Sequence, residues 1–393
     1  MDLFEKCRKF NLAREAQQAG IYPYFLPIED SEGTEAVFDG HRVLMLGSNN
    51  YLGLTADPRV RQAAVEAVQR YGTSCTGSRL QNGTLNLHLE LEERLARFMG
   101  TEAALVFSTG YQVNVGTISC LIGRGDVVIT DKDDHASIID GCMMSMGEMR
   151  RFRHSDLSHL EKVLSKVDPR AGKMVVVDGV YSVGGDIAPL PEIAALCKQY
   201  DSRLMVDDAH SLGLLAQGRG TSAHFGITDD VDLIMGTFSK SFASVGGFIA
   251  GNTDVIHYIQ HHARSFIFSA AMPAPIVASV LAALTIVEQE PEHVERLWKN
   301  SEHMRAGLES AGFNTGPSQT PIIPVIIGGM EDTMRTWKLL FDAGVYTNAF
   351  IPPGVPAGSS LLRTSYMATH TTEQIDRALE IFIKIGRQVK LIN

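Results

Sequence analysis

The chain contains no Cys-x-x-C pair, and its five cysteines (Cys7, Cys75, Cys120, Cys142 and Cys197) are odd in number and scattered. This pattern argues against a disulfide framework and a thiolate metal site, and predicts a reducing, cytoplasmic setting. An excess of positive charge is also missing: 35 Lys and Arg stand against 45 Asp and Glu, a formal charge of −10. A protein whose partner is nucleic acid carries the opposite balance, so any phosphate here must be met by local donors. Long uninterrupted apolar runs are absent too. The nearest, Ala270 to Val287, holds Pro273, Pro275, Ser279 and Thr285, and predicts a buried helix with no membrane span, which leaves peripheral membrane contact open. The opening segment, MDLFEKCRKFNLAREAQQAG, is charged throughout and lacks the apolar centre of a signal peptide. It predicts an exposed amphipathic helix.

What is present is an ordinary globular composition, 45% hydrophobic and 20% charged over 393 residues, enough for a large core and two or three domains. Short apolar runs recur at Ala103 to Phe107, Val127 to Thr130, Met174 to Val177, Leu204 to Val206, Leu233 to Met235 and Phe248 to Ala250. Stretches with helical spacing lie between some of them, such as Leu157 to Val167 and Glu192 to Tyr200. This rhythm predicts an α/β fold with a mostly parallel sheet covered on both faces. The expected organisation is an N-terminal helical segment (1–45), a large cofactor-binding domain (46–281) and a smaller C-terminal α+β domain (282–393).

Polar clusters follow the first five runs: Ser108 to Gly110, Asp131 to His135, Asp178 to Ser182, Asp207 to His210 and Thr237 to Lys240. Ligands of open α/β sheets bind beyond the carboxyl ends of the strands, so these clusters should converge on one crevice. A lysine, an Asp-x-x-His and a helix start suited to phosphate together fit pyridoxal 5'-phosphate. Its aldehyde needs an amine, its ring nitrogen a carboxylate and its phosphate amide and hydroxyl donors. Lys240 is placed to be the amine, Asp207 to hold the ring nitrogen and His210 to bond the ring hydroxyl. The Gly110-Tyr111 turn opens a helix whose first amides suit the phosphate, joined by the hydroxyls of Thr237 and Ser239. Each signal is weak singly: a lysine after a strand is usually a solvated group, and Asp-Asp-Ala-His is more often a cap or turn. Their ordered conjunction carries the inference. His135 has an alternative as part of an acidic metal site, disfavoured by the lysine and by the lack of a second nearby histidine; no metal is expected. His261 and His262 read as surface residues and His88 as structural.

The segments Ser48-Asn49-Asn50-Tyr51-Leu52-Gly53-Leu54, Gly72 to Arg79, Asp134-His135-Ala136-Ser137, Val206 to Ser211 and Thr237-Phe238-Ser239-Lys240 resemble the α-oxoamine synthases. The likeness extends from about Phe10 to Val389. It implies a fold-type I pyridoxal phosphate-dependent transferase, with a seven-stranded-type sheet in the large domain, that condenses an amino acid with an acyl-CoA and releases carbon dioxide. Gly72 to Glu92, the TFSKSFASVGGF segment and Pro352 to Thr371 are most similar to the branch that joins L-serine to palmitoyl-CoA, giving 3-ketodihydrosphingosine. Branches using glycine and acetyl-CoA, or forming 8-amino-7-oxononanoate, are the alternatives, as is a non-catalytic partner subunit. By motif position the resemblance makes Lys240 the Schiff-base lysine, with Asp207 and His210 on the ring nitrogen and ring hydroxyl. His135 would stack on the ring and touch the substrate carboxylate, and Ser182 would lie beside the ring hydroxyl. Arg363 would bind a carboxylate; without the family context it reads equally as half of a surface ion pair. Asn50 and Ser269 match positions that reach the site from the other subunit of a homodimer, although alone they read as a turn and a helix cap.

Overall fold

The computed structural model describes residues 2–393, which form two compact units. Asn49–Trp298 is one; residues up to Ser48 together with Lys299–Asn393 are the other.

The larger unit is built on a sheet of β1 (Ala103–Phe107), β2 (Val127–Asp131), β3 (Glu148–Phe152), β4 (Lys173–Asp178), β5 (Arg203–Asp207), β6 (Leu233–Thr237) and β7 (Gly247–Gly251). The seven strands lie in the order β1-β7-β6-β5-β4-β2-β3. From β6 to β3 all neighbours are parallel, and β7 runs antiparallel between β1 and β6. Every residue of β2, β4, β6 and β7 is buried, which is why these runs show no alternation in the sequence: helices cover both faces. β3, Glu-Met-Arg-Arg-Phe, is the strand the apolar rhythm does not reveal. It occupies the sheet edge and only Phe152 is buried, so charge is tolerated along it and blunts the edge.

The helix Pro58–Tyr71 begins where Asp57 accepts the Arg59 amide at 2.8 Å with Pro58 in the first position, and gives way to Gly72 at φ +79°. The helix Ala274–Gln289 packs against it and against Asn86–Met99, burying Val277, Val280, Leu284 and Val287. Within it lies the expected domain boundary after residue 281. The helix is continuous and belongs wholly to the larger unit, so the observed division falls after Trp298. No helix among the described residues is long and apolar enough to cross a membrane.

The expected separate N-terminal helical segment also differs from what is seen. Two short helices, Glu5–Arg8 and Leu12–Gln18, precede strands Asp30–Glu32, Glu35–Phe38 and His41–Met45. The last of these pairs in parallel with Val345–Tyr346, and the Phe38 ring stacks on Tyr346 at 5.2 Å, so the segment joins the C-terminal residues through a shared core. That smaller unit also holds an antiparallel sheet of Ile322–Gly328, Ser360–Ser365 and Asn348–Phe350. All five cysteines are free thiols.

Candidate active site

A cavity of about 320 Å³ opens beyond the carboxyl ends of the strands of the larger unit, within the size range of small-molecule sites. Eight of the expected residues line it: Gly110, Tyr111, His135, Asp207, His210, Thr237, Ser239 and Lys240.

Lys240 is presented by a tight turn after β6. Phe238 and Phe242, two residues to either side, are fully buried, and Phe238 stacks on Phe248 of β7 at 5.7 Å. The turn closes through the Phe238 amide to the Gly246 carbonyl at 2.9 Å and the Ala243 amide to the Lys240 carbonyl at 3.0 Å. Two apolar anchors thus fix the backbone that carries the amine. Thr237 Oγ1 donates to the Gly246 carbonyl at 3.0 Å and lies 3.0 Å from Ser239 Oγ.

Across the cavity the helix Gly110–Leu121 begins, with Thr109 accepting the Gln112 amide at 3.2 Å. Amides of the first turn have no partner in the helix ladder and carry the positive end of its dipole. A Cβ on Gly110 would lie 2.7 Å from Thr237 Oγ1, so only glycine allows this approach. Gln112 Nε2 donates to Ser269 Oγ at 3.0 Å.

The adjacent aspartates of Asp207-Asp208 diverge. Asp208 is fully buried; it accepts the Thr221 amide at 3.1 Å and the Ser211 hydroxyl, and is pushed up to about 6 chiefly by burial, against those hydrogen bonds. It ties down a loop. Asp207 ends β5 on the cavity wall, its Oδ1 accepting the Ala209 amide at 2.9 Å and its Oδ2 the Asn114 amide at 2.6 Å. His210 Nδ1 is 2.8 Å from the hydroxyl of Tyr51, itself fully buried. His135 caps the helix Ala136–Met144: its Nδ1 accepts the Ser137 amide at 3.3 Å and lies 2.7 Å from Ser137 Oγ. Burial is the main force holding His135 below the usual histidine range; nearby Asp207 opposes it and Lys240 reinforces it.

Buried acids surround this wall. Asp134 accepts the Asp131 amide at 2.8 Å and the Asp178 amide at 3.0 Å, tying the ends of β2 and β4 together. Burial, and then neighbouring negative charge, pushes Asp134 and Asp178 well above the carboxylate range. Asp178 shares the cavity wall with Asp207.

The remaining expected residues lie elsewhere. Ser182 follows β4 outside the cavity lining, and Asn50 is buried with Nδ2 donating to Thr55 Oγ1 at 2.8 Å. Arg363 is buried on the strand Ser360–Ser365 of the smaller unit. His88 is buried between the Leu85 amide at 3.0 Å and the Met272 carbonyl at 2.8 Å, while His261 and His262 are exposed. Spacing alone does not single out Tyr51, Asn114 or Asp178 as site groups. For Asn114 the one sequence signal is an amide between two valines inside a helix. Among the described residues no group of three His, Cys, Asp or Glu could hold a metal ion.

An amine, a buried carboxylate, two imidazoles and a helix start facing hydroxyls fit pyridoxal phosphate, and the missing Cβ at Gly110 leaves the cradle for its phosphate open. The sequence pattern described as aminotransferase class I and II matches residues 41–382. A serine palmitoyltransferase of Sphingobacterium spiritivorum is 49% identical, over 99% of this chain and 98% of that protein. An 8-amino-7-oxononanoate synthase of Geobacter metallireducens is 45% identical over 95% of this chain and 96% of its own length. A solved serine palmitoyltransferase from S. paucimobilis, with PLP and myriocin bound, superposes with a TM-score of 0.97 at 39% identity, covering all of both chains. The chain therefore belongs to the aminotransferase class I and II family and, within it, to the α-oxoamine synthases.

Proposed function

We propose that this protein is a pyridoxal phosphate-dependent serine palmitoyltransferase that condenses L-serine with palmitoyl-CoA to 3-ketodihydrosphingosine, CoA and carbon dioxide. The observation that carries this is the convergence of Lys240, Asp207, His210 and His135 on one cavity. Relatives similar over nearly their whole length are named for that reaction. Pyridoxal phosphate, when bound, supplies an electron sink for negative charge on the amino acid α-carbon.

The chain's own residues do the rest. Lys240 Nζ would hold the cofactor's aldehyde carbon and, as a free amine, would take the α-proton of the amino acid. The Asp207 carboxylate keeps the ring nitrogen protonated, and His210, oriented by Tyr51, bonds the ring hydroxyl together with Ser182. Thr237, Ser239 and the amides at Gly110 and Tyr111 hold the phosphate. A neutral His135 would stack against the ring and touch the substrate carboxylate, which the Arg363 guanidinium would pair. Asn50 and Ser269 serve the site of the other subunit in a homodimer, and the enzyme works in the cytoplasm.

Apolar burial favours a long acyl chain, at about 0.8 kcal/mol per methylene. Glycine C-acetyltransferase and 8-amino-7-oxononanoate synthase are the neighbouring activities; the latter is favoured by the 45% relative. The test is CoA release by the pyridoxal phosphate-loaded enzyme with serine, glycine and alanine crossed with acetyl-, octanoyl- and palmitoyl-CoA. The expected optimum is serine with palmitoyl-CoA, and an optimum at glycine with acetyl-CoA replaces the reading. Lys240→Ala should be colourless and inactive; near wild-type CoA release from it would remove Lys240 from its role.

A further inference from the structure

We propose that Asn114 is a positioning residue whose single side-chain amide sets both Asp207 and the Ser137–His135 pair. Asn114 is fully buried in the helix Gly110–Leu121, between Val113 and Val115, which are also buried. Asparagine is a poor helix-interior residue and a buried amide is costly, so an apolar side chain would serve the fold better here.

The polarity of the arrangement is forced. Asp207 Oδ2, 2.6 Å away, can only accept if the carboxylate is ionised, so Asn114 must turn its NH2 toward it; the reversed amide would set oxygen against oxygen. The second N–H of Nδ2 points to Ser137 Oγ at 2.8 Å. Having accepted there, the Ser137 hydroxyl directs its own proton to His135 Nδ1, 2.7 Å away. The Ser137 backbone amide approaches the same nitrogen at 3.3 Å, so Nδ1 is an acceptor and the neutral ring carries its proton on Nε2. Asn114 Oδ1, in contrast, is buried without a hydrogen-bond partner among the described residues. The residue is held for its two donors, at the expense of its acceptor.

The consequence is a chain Asp207–Asn114–Ser137–His135 in which one amide fixes the carboxylate assigned to the ring nitrogen and the imidazole assigned to the ring face. The Asp207 arm rests on the pyridoxal phosphate reading of the cavity; the His135 arm does not.

The test uses the full-length protein with nitrogen-15-labelled histidine, the His135 signal being identified by its loss in His135→Gln. Asn114→Leu keeps the volume and removes both donors, and Asn114→Ala gives a second variant should leucine disturb the helix. In either variant the His135 ring should pass from the single Nε2–H form to a mixture of neutral tautomers, in protein stripped of cofactor. The dissociation constant for pyridoxal phosphate, from equilibrium dialysis, should rise tenfold or more. Ser137→Ala should disturb the ring signature but leave that constant within twofold, because the Asn114–Asp207 bond survives. In a folded Asn114 variant, an unchanged His135 signature or a cofactor affinity within twofold of wild type overturns the proposal. If wild-type protein binds no pyridoxal phosphate, the cofactor reading and the Asp207 arm fail together, and the ring signature alone decides the His135 arm.

Discussion

Replacing His154 with glutamine should destabilise the protein by an amount that depends on pH in a defined direction. His154 Nδ1 lies 3.1 Å from Asp131 Oδ1 and Nε2 lies 2.9 Å from Asp186 Oδ2, with the Tyr181 ring edge-on at 4.4 Å. Both ring nitrogens face acceptors, so both carry protons and the ring is an imidazolium. Burial opposes that charge, but the two carboxylates outweigh it and raise the pKa from 6.5 to about 10. At 1.36 kcal/mol per pH unit this rise corresponds to about 5 kcal/mol, and orphaning one member of a buried pair costs about 3–5 kcal/mol by a separate route. The His154 side chain is 30% exposed, so screening favours the lower figure. Because the folded pKa lies above the unfolded one, this stability is fully present below about pH 6.5 and is lost as pH rises through about 10. For a unit the size of Asn49–Trp298, about 3 kcal/mol is a fall in Tm of about 6–12 °C. Thermal unfolding of wild type and His154→Gln, followed by circular dichroism from pH 6 to pH 10, should show that gap at the acid end and its closure at the alkaline end. Groups with no contact to His154 titrate alike in both proteins and cancel in the difference. A gap constant across the range, or a His154 ring titrating near pH 6.5 by NMR, refutes the reasoning.

Asp207→Asn should retain only some of its pyridoxal phosphate and lose about a hundredfold or more in kcat/KM, about 2.7 kcal/mol, because an amide does not hold the ring nitrogen charged; normal kinetics removes that role. Gly110→Ala brings a Cβ to 2.7 Å from Thr237 Oγ1 and should weaken pyridoxal phosphate binding about tenfold by equilibrium dialysis, since backbone or threonine must shift. Retention at wild-type affinity would place the phosphate elsewhere. Arg363→Ala should raise the serine concentration for half-saturation about tenfold while leaving cofactor affinity unchanged, and an unaltered spectral titration with serine moves the carboxylate partner to another residue.

Much of the larger unit is legible because a parallel sheet writes itself as short apolar runs, each followed by the polar residues that face the ligand side. β1, β2 and β4 to β6 are readable on that ground, and with them Gly110, Asp207, Thr237 and Lys240, whereas β7, antiparallel to both neighbours, is readable from its apolar run alone. Edge strand β3 is not, since a strand exposed on most of its length need not be apolar. The unit boundary is hidden for a different reason. The helix Ala274–Gln289 carries no turn residue at position 281, and only its packing on Pro58–Tyr71 assigns all of it to the larger unit. The strand His41–Met45 is short and pairs with residues some three hundred positions away, so no local pattern announces which unit it joins, and Glu35–Phe38 follows it there through antiparallel pairing.

Within the site, composition and spacing cannot say which of two equivalent side chains does chemistry. Asp207 and Asp208 are adjacent, identical and both buried, yet one closes a loop on Thr221 and Ser211 while the other faces the cavity. The alternation of a strand end decides between them: successive side chains leave the sheet on opposite sides, so at the end of β5 only one of two neighbours can reach a ligand on a given face. The same logic explains Asn114. One turn beyond Gly110 on the helix that opens on the cavity, it is near enough to bond two wall residues but lines nothing itself, so no motif of cavity-lining residues contains it. Groups that touch a ligand are legible as strand-end clusters; groups that orient them lie one layer behind, where polarity inside an apolar element is the only mark they leave in the sequence.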